Sequence, residues 1–279
     1  MKPPSNRDRI LESIREASER QEREEGGPID FPPRVSVEIS ASHLRANYRA
    51  IQDLVPGQDL IPMIKANAYG HGAAWAAKTL AELPGLYGLG AASLEEGAEI
   101  RAAMGLKRRK TSILVFSGAA LWSEEKGNYC LRHGLTPVIS SDEDWTAFQR
   151  QGWTARLPYE LKFNTGMNRL GLSLSQLQVV RKSLLKLPEN QRPSGILSHM
   201  AMAEDPEARL SLDQISRFRS IAAELKPVLP AARFHLANSA MIWNAKHYGL
   251  DGLTDVVRPG ISLYGVPPWA GASGHHEVK

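Results

Sequence analysis

The sequence predicts an α/β fold, an eight-stranded parallel (β/α)8 barrel of the TIM type. Two observations carry that prediction. Short apolar runs of strand length recur at residues 60–64, 86–91, 113–116, 135–139, 159–163, 195–198, 233–236 and 255–257. Amphipathic segments with a helical period lie between them, such as those at residues 71–83, 94–103, 175–187 and 212–225. Strands alternating with helices build a parallel sheet, and eight repeats over this length favour a closed barrel over an open doubly wound sheet. A chain of 279 residues with 42% hydrophobic content has the apolar mass to fill one.

Residues 1–34 read as a charged helical extension and linker. Ile10, Leu11 and Ile14 are the main aliphatic anchors among Glu and Arg, and the segment ends in Gly26-Gly27-Pro28 and Phe31-Pro32-Pro33. Residues 35–39 alternate apolar and polar side chains as a half-buried strand does, and Ser40 or Ser42 can cap a helix over residues 43–54. The barrel domain is expected over residues 35–266, followed by a polar tail at 267–279.

Composition narrows the function. A net charge of +4 comes from 34 basic against 30 acidic residues, a mixed surface rather than a nucleic-acid footprint. The dense basic cluster at residues 107–110 has no interleaved aromatics and reads as a solvated turn. No apolar run is long enough to span a bilayer and no secretory signal opens the chain, so the expected location is the cytoplasm, with no membrane partner. The single cysteine, Cys130, can form no intrachain disulfide and sits in no metal-ligand spacing, so metal chemistry is not expected.

A barrel places its functional residues just past the C-terminal ends of its strands. The first strand delivers Lys65 into small residues flanked by Gly70 and Gly72. A desolvated lysine there can form a Schiff base with a carbonyl, although a strand-end lysine taken alone is equally compatible with snorkelling to solvent. The fifth strand leads into Lys162, Asn164 and Arg169, and the sixth ends at Ser198-His199. The seventh ends at Asn238-Ser239 and the eighth at Arg258-Pro259-Gly260-Ile261. Loops after strands seven and eight commonly hold phosphate, which marks Ser239 and the Gly260-Ile261 backbone as an anion cup. Taken singly, Ser239 also reads as a helix cap, Arg258 as half of a buried salt bridge and His199 as a satisfied structural histidine.

The stretch Lys65-Ala66-Asn67-Ala68-Tyr69-Gly70-His71-Gly72 resembles the cofactor-lysine motif of the alanine racemase family, the fold-type-III pyridoxal phosphate enzymes. The resemblance implies pyridoxal 5'-phosphate as cofactor and an isomerase that interconverts L- and D-alanine for peptidoglycan precursors. It implies that Lys65 carries the cofactor as a Schiff base and acts as one of two bases. Tyr69, Asn238, Ser239, Gly260 and Ile261 then hold the cofactor, Arg258 faces the pyridine nitrogen, and His199 packs on the ring. Arg169 holds the substrate carboxylate, and Lys162 matches a lysine that is often carbamylated and positions that arginine. Asn164 stands where the family usually has aspartate, which removes a charge beside Lys162. Tyr264 reads as a packing residue. Family members continue into a β-rich domain that supplies a catalytic tyrosine across a homodimer interface. The tail here has no strand pattern, so that domain and the second base are expected to be absent. Two other readings stay open: a non-catalytic pyridoxal phosphate carrier or regulator, and a barrel fragment that needs a partner chain.

Overall fold

A computed structural model describes residues 37–105, 111–117 and 121–269. The charged extension at 1–34, the basic turn at 107–110 and the end of the tail lie outside the described residues. The chain divides into two units between Ile39 and Ser40. In the first, residues 37–39 form no strand, contrary to the alternation of residues 35–39, and Val37 is 83% exposed. A lone strand leaves its own N–H and C=O groups unpaired, and no ladder partner for these three residues occurs among the described residues.

The second unit is the barrel. Its strands are β1 (Asp59–Leu60), β2 (Gly88–Ala91), β3 (Ser112–Val115), β4 (Thr136–Ile139), β5 (Glu160–Lys162), β6 (Gly195–Leu197), β7 (Arg233–His235) and β8 (Val256–Val257). Each falls on a predicted apolar run. Strands β2 to β7 pair in sequence order and in parallel, with registers such as Leu114↔Thr136, Leu161↔Ile196 and Ile196↔Phe234. Closure comes from the ends: Asp59 pairs with Val256 and Leu60 with Val257, Met63 bridges to Gly90, and Asn238 bridges to Arg258.

Serines start four of the helices. Ser40 caps α1 (Ala41–Leu54) by accepting from the His43 N–H, which decides between the two predicted caps. After α2 (Ala73–Leu80), Ser93 caps α3 (Leu94–Met104), Ser123 caps α4 (Glu124–His133) and Ser141 caps α5 (Asp142–Arg150). Acidic residues fill the first turns of the last three, where the helix dipole favours them. Farther along run α6 (Leu177–Leu185) and α7 (Arg209–Leu225), then two short helices, α8 (Ser239–Trp243) and α9 (Ala245–Tyr248).

The main core lies between strands and helices and includes fully buried Tyr48, Phe148, Trp153, Phe218 and Phe234. Each such side chain contributes roughly 1.5–3 kcal/mol through removal from water. A smaller cluster of Ile61, Leu114 and Val256, with Met63, Tyr87 and Phe116 against it, completes the packing. No helix among the described residues is long and apolar enough to cross a membrane.

Candidate active site

Most of the residues singled out in the sequence, though not Asn164 or Tyr264, come together at one cavity of about 340 Å³. Lys65, Tyr69, Lys162, Arg169, His199, Asn238, Ser239, Arg258, Gly260 and Ile261 all line it. Four of these are lysine or arginine, and the one carboxylate on the lining is Glu204, exposed at the rim. Such a lining suits an anionic occupant.

The lysine segment departs from the sequence reading. It does not open directly into a right-handed helix: Ala66, Asn67, Ala68 and Tyr69 have φ of 50°, 51°, 56° and 53°, a left-handed turn, and α2 begins only at Ala73. Left-handed geometry costs roughly 1–2 kcal/mol per residue with a Cβ, and asparagine alone among these four visits it readily. The turn is therefore tied on several sides. Asn67 Oδ1 accepts from the Ala73 N–H at 2.8 Å, and the Glu96 carboxylate accepts from the N–H groups of Ala66 and Ala92, each at 2.8 Å. Tyr264 donates to the Met63 carbonyl, stacks on His71 at 4.7 Å between ring centroids and lies 5.1 Å from the Tyr69 ring. This is the packing role expected of it. Gly260 matters to the same corner, since a Cβ there would meet the Tyr69 hydroxyl at 2.5 Å.

Beside the turn, Ser239 Oγ accepts from the N–H groups of Gly260 at 2.9 Å and Ser262 at 3.4 Å. With its lone pairs engaged, the hydroxyl has its proton left to donate. Asn238 is the residue that caps α8, accepting from the Met241 N–H, so the cap role lies one residue before Ser239.

Arg258 is buried at the end of β8, and its terminal nitrogens are fully engaged. Nη1 donates to His235 Nδ1 at 2.7 Å and to the His235 carbonyl at 2.9 Å. Nη2 donates to the carbonyls of Ser198 at 2.5 Å and Leu236 at 3.0 Å, with His199 Nδ1 at 3.5 Å. The Nε–H has no protein partner among the described residues and is the donor left for the cavity. Burial pulls the guanidinium down to about 10, Glu160 opposing, so it stays cationic at neutral pH.

Glu160 and His235, which the sequence reading missed, support this arginine from below. Both are fully buried, with His235 Nε2 and Glu160 Oε2 2.7 Å apart. Arginine only donates, so His235 Nδ1 must accept and the ring proton sits on Nε2, facing the carboxylate. The contact is thus a hydrogen bond from a neutral imidazole, and burial indeed lowers the His235 pKa. The charge balance runs from the Glu160 carboxylate through that ring to Arg258. Gly195 makes room for it, because a Cβ there would meet Glu160 Cδ at 2.6 Å. The only sequence signal was a glutamate inside an apolar strand run.

Lys162 is 6% exposed, and burial followed by the nearby Arg258 and Arg169 guanidinium groups lowers its ammonium to about 8. Burial and the same cations hold His199 neutral, its pKa brought down to about 3. Asn164 directs its side chain into its own loop: Oδ1 accepts from the Gly166 and Asn168 N–H groups at 3.0 Å each, and the amide donates to Asn168 Oδ1. It thereby shapes the segment leading to Arg169. Gln214 of α7, also missed in the sequence, joins the loops after β5 and β6 by donating to Thr165 Oγ1 and to the His199 carbonyl.

The Gly260 N–H, expected in the sequence to face an anion, is instead engaged by Ser239 Oγ. A parallel barrel with two lysines, a serine-tied glycine loop and a buried arginine gathered at its strand ends defines a class of protein, the parallel barrel with a cation-lined strand-end cavity. More narrowly, the chain belongs to the alanine racemase N-terminal domain family, whose model matches residues 39–268. It is 31% identical over 241 residues to an alanine racemase of Shewanella loihica, covering 86% of this chain and 62% of that one. It is 34% identical over 251 residues to one from Legionella pneumophila, covering 88% and 63%. Among solved structures, the alanine racemase of D-cycloserine-producing Streptomyces lavendulae superposes with a TM-score of 0.74 at 26% identity, over 88% of this chain and 63% of that one. The Bartonella henselae alanine racemase, which carries covalently bound pyridoxal phosphate, superposes with a TM-score of 0.71 at 28% identity, over 86% and 66%. The chain thus spans about three fifths of the length of the curated relatives it matches.

Proposed function

We propose that this chain is the cofactor-binding barrel of an alanine racemase that uses pyridoxal 5'-phosphate to interconvert L- and D-alanine. The observation that carries the reading is the disposition of Arg258, whose every terminal N–H is spent on the protein while Nε–H is left to meet a pyridine nitrogen. The cavity fits the cofactor on two further counts. Gly260 leaves the Tyr69 hydroxyl beside the loop that Ser239 organises, a cradle a Cβ would fill, and Lys65 presents a primary amine to the same space.

When bound, pyridoxal phosphate supplies the electron sink that acidifies the substrate α-proton. The rest falls to the chain. Lys65 would hold the cofactor through its amine and would carry a proton at its own face of the substrate α-carbon. Arg258 hardly ever surrenders a proton, so it would donate its Nε–H to a pyridine nitrogen and leave that nitrogen unprotonated. Neutral His199, on the cavity wall, would be a packing surface for the ring. Arg169 binds the substrate carboxylate. The opposite face of the α-carbon would need a second base, which the resemblance assigns to a tyrosine of a β-rich domain across a homodimer interface. The setting we assign is the cytoplasm, and the product role is D-alanine for cell-wall precursors.

The test is solvent deuterium incorporation at the α-carbon of alanine, each enantiomer tried separately, by the cofactor-loaded chain. Incorporation with retained configuration is the expected result for Lys65 working alone on one face. Cofactor uptake without any incorporation would move the chain to the non-catalytic carrier reading.

Lys162 completes the proposal as a carbamylation site. A neutral amine attacks carbon dioxide to give a carbamate anion and a released proton, and the anion would sit among Arg258 and Arg169. Because the ammonium is lowered to about 8, the neutral fraction rises from roughly a tenth at pH 7 to roughly nine tenths at pH 9. At fixed dissolved carbon dioxide, intact-mass measurement should therefore show a one-carbon-dioxide adduct that grows over that interval and vanishes in Lys162→Arg.

A further inference from the structure

We propose that Glu96 is a positioning residue for Lys65: its carboxylate holds the left-handed turn in the conformation that presents the lysine amine to the cavity. The inference rests on the reading of Lys65 as the cofactor amine, but its geometry stands apart from it. Glu96 occupies the third position of α3 behind the cap Ser93, whose hydroxyl accepts from the Glu96 N–H at 3.2 Å. In the usual capping box a glutamate there turns back to the N–H of the cap residue itself. Here it does not. Oε2 reaches one residue farther, to the Ala92 N–H at 2.8 Å, and Oε1 crosses to the Ala66 N–H at 2.8 Å, thirty positions earlier in the chain.

One carboxylate thus ties the loop after β2 to the residue next to Lys65, with both oxygens in charge-assisted bonds to main-chain donors. The anchor is stiff, since Leu94, Gly97, Ala98 and Ile100 of α3 are buried, and the helix N-terminus favours a negative charge at this place. The turn needs such an anchor. Ala66 is the first residue of the left-handed run and gains nothing from its own side chain in that conformation. Untied, residues 66–69 would relax toward right-handed geometry and carry the lysine side chain elsewhere.

Amide hydrogen exchange followed by mass spectrometry tests this on the full chain. Glu96→Ala is expected to raise exchange over residues 65–72 by about tenfold or more, the scale of losing charge-assisted hydrogen bonds. Glu96→Gln keeps one accepting oxygen and should fall between Ala and wild type. The rate at which borohydride-trapped pyridoxal phosphate accumulates on Lys65 should drop in the same order. Exchange within twofold of wild type in the Ala variant overturns the proposal. So does a loss of protection spread evenly over β3 to β6 in the Gln variant, because the carboxylate would then serve the whole fold rather than the turn. If the wild-type chain takes up no cofactor at Lys65, the reading of the lysine falls, while the exchange comparison still decides whether Glu96 holds the turn.

Discussion

Glu160→Ala is expected to lower the melting temperature of the protein by roughly 6–20 °C, the largest stability effect of any single substitution at the site. The range follows from about 3–5 kcal/mol for removing one partner of a buried charge pair, at about 2–4 °C per kcal/mol for a domain of this size. Arg258 is cationic and buried, and the carboxylate that balances it is Glu160, relayed through neutral His235. Without that carboxylate the guanidinium keeps its carbonyl acceptors but has no counter-charge in the interior. Glu160→Gln separates the two contributions. It retains an oxygen to accept from His235 Nε2 yet carries no charge, so it should cost clearly less than the alanine variant. Thermal unfolding of the three proteins at neutral pH checks the order; equal stability of Ala and wild type would show that Arg258 needs no buried partner.

Lys65→Ala should abolish borohydride-stable attachment of pyridoxal phosphate altogether. A Schiff base requires a primary amine in reach of the cofactor aldehyde, and alanine offers none. Cofactor should still associate reversibly, since the cup around Ser239, Gly260 and Tyr69 is untouched by the change. The informative rival is Lys162, whose amine lines the same cavity and is neutral in greater proportion near pH 8 than an ordinary lysine. Peptide mapping of the reduced adduct therefore decides the matter. Label on residue 65 in the wild-type chain and none in the variant is the expected pattern. Label at residue 162 in either protein would reassign the cofactor amine.

The barrel was legible because its signals are local. Each apolar run is long enough for one buried strand, and the structure places a strand on every one, trimmed at the ends where pairing stops. The strand-end rule then collected Lys65, Arg169, His199 and Arg258 without knowledge of any distance. What stayed hidden depends on pairs far apart in sequence. Glu160 and His235 lie 75 positions from each other, and only the parallel pairing of β5, β6 and β7 makes them neighbours. Glu96 looked like an ordinary first-turn acid of an amphipathic helix, because nothing local says that its carboxylate leaves the helix. The left-handed run was hidden for another reason: Ala66, Ala68 and Tyr69 have no intrinsic preference for it, and the surrounding bonds impose it. At residues 37–39 the alternation pointed the opposite way, since it describes a strand only when a partner edge is available.

The closing seam of the barrel sets an order of events during synthesis. Strand β1 can bridge early to the segment around β2, Leu60 to Leu86, but its two-residue ladder waits for β8, Asp59 meeting Val256 and Leu60 meeting Val257. Arg258, Gly260 and Ile261 follow directly on that last strand, so the lysine emerges from the ribosome long before the groups that complete its cavity. Such widely separated contacts form late and slowly. Cofactor capture therefore belongs to the finished polypeptide, and a nascent chain stalled before β8 would display the lysine with nothing to retain the vitamin-derived group beside it.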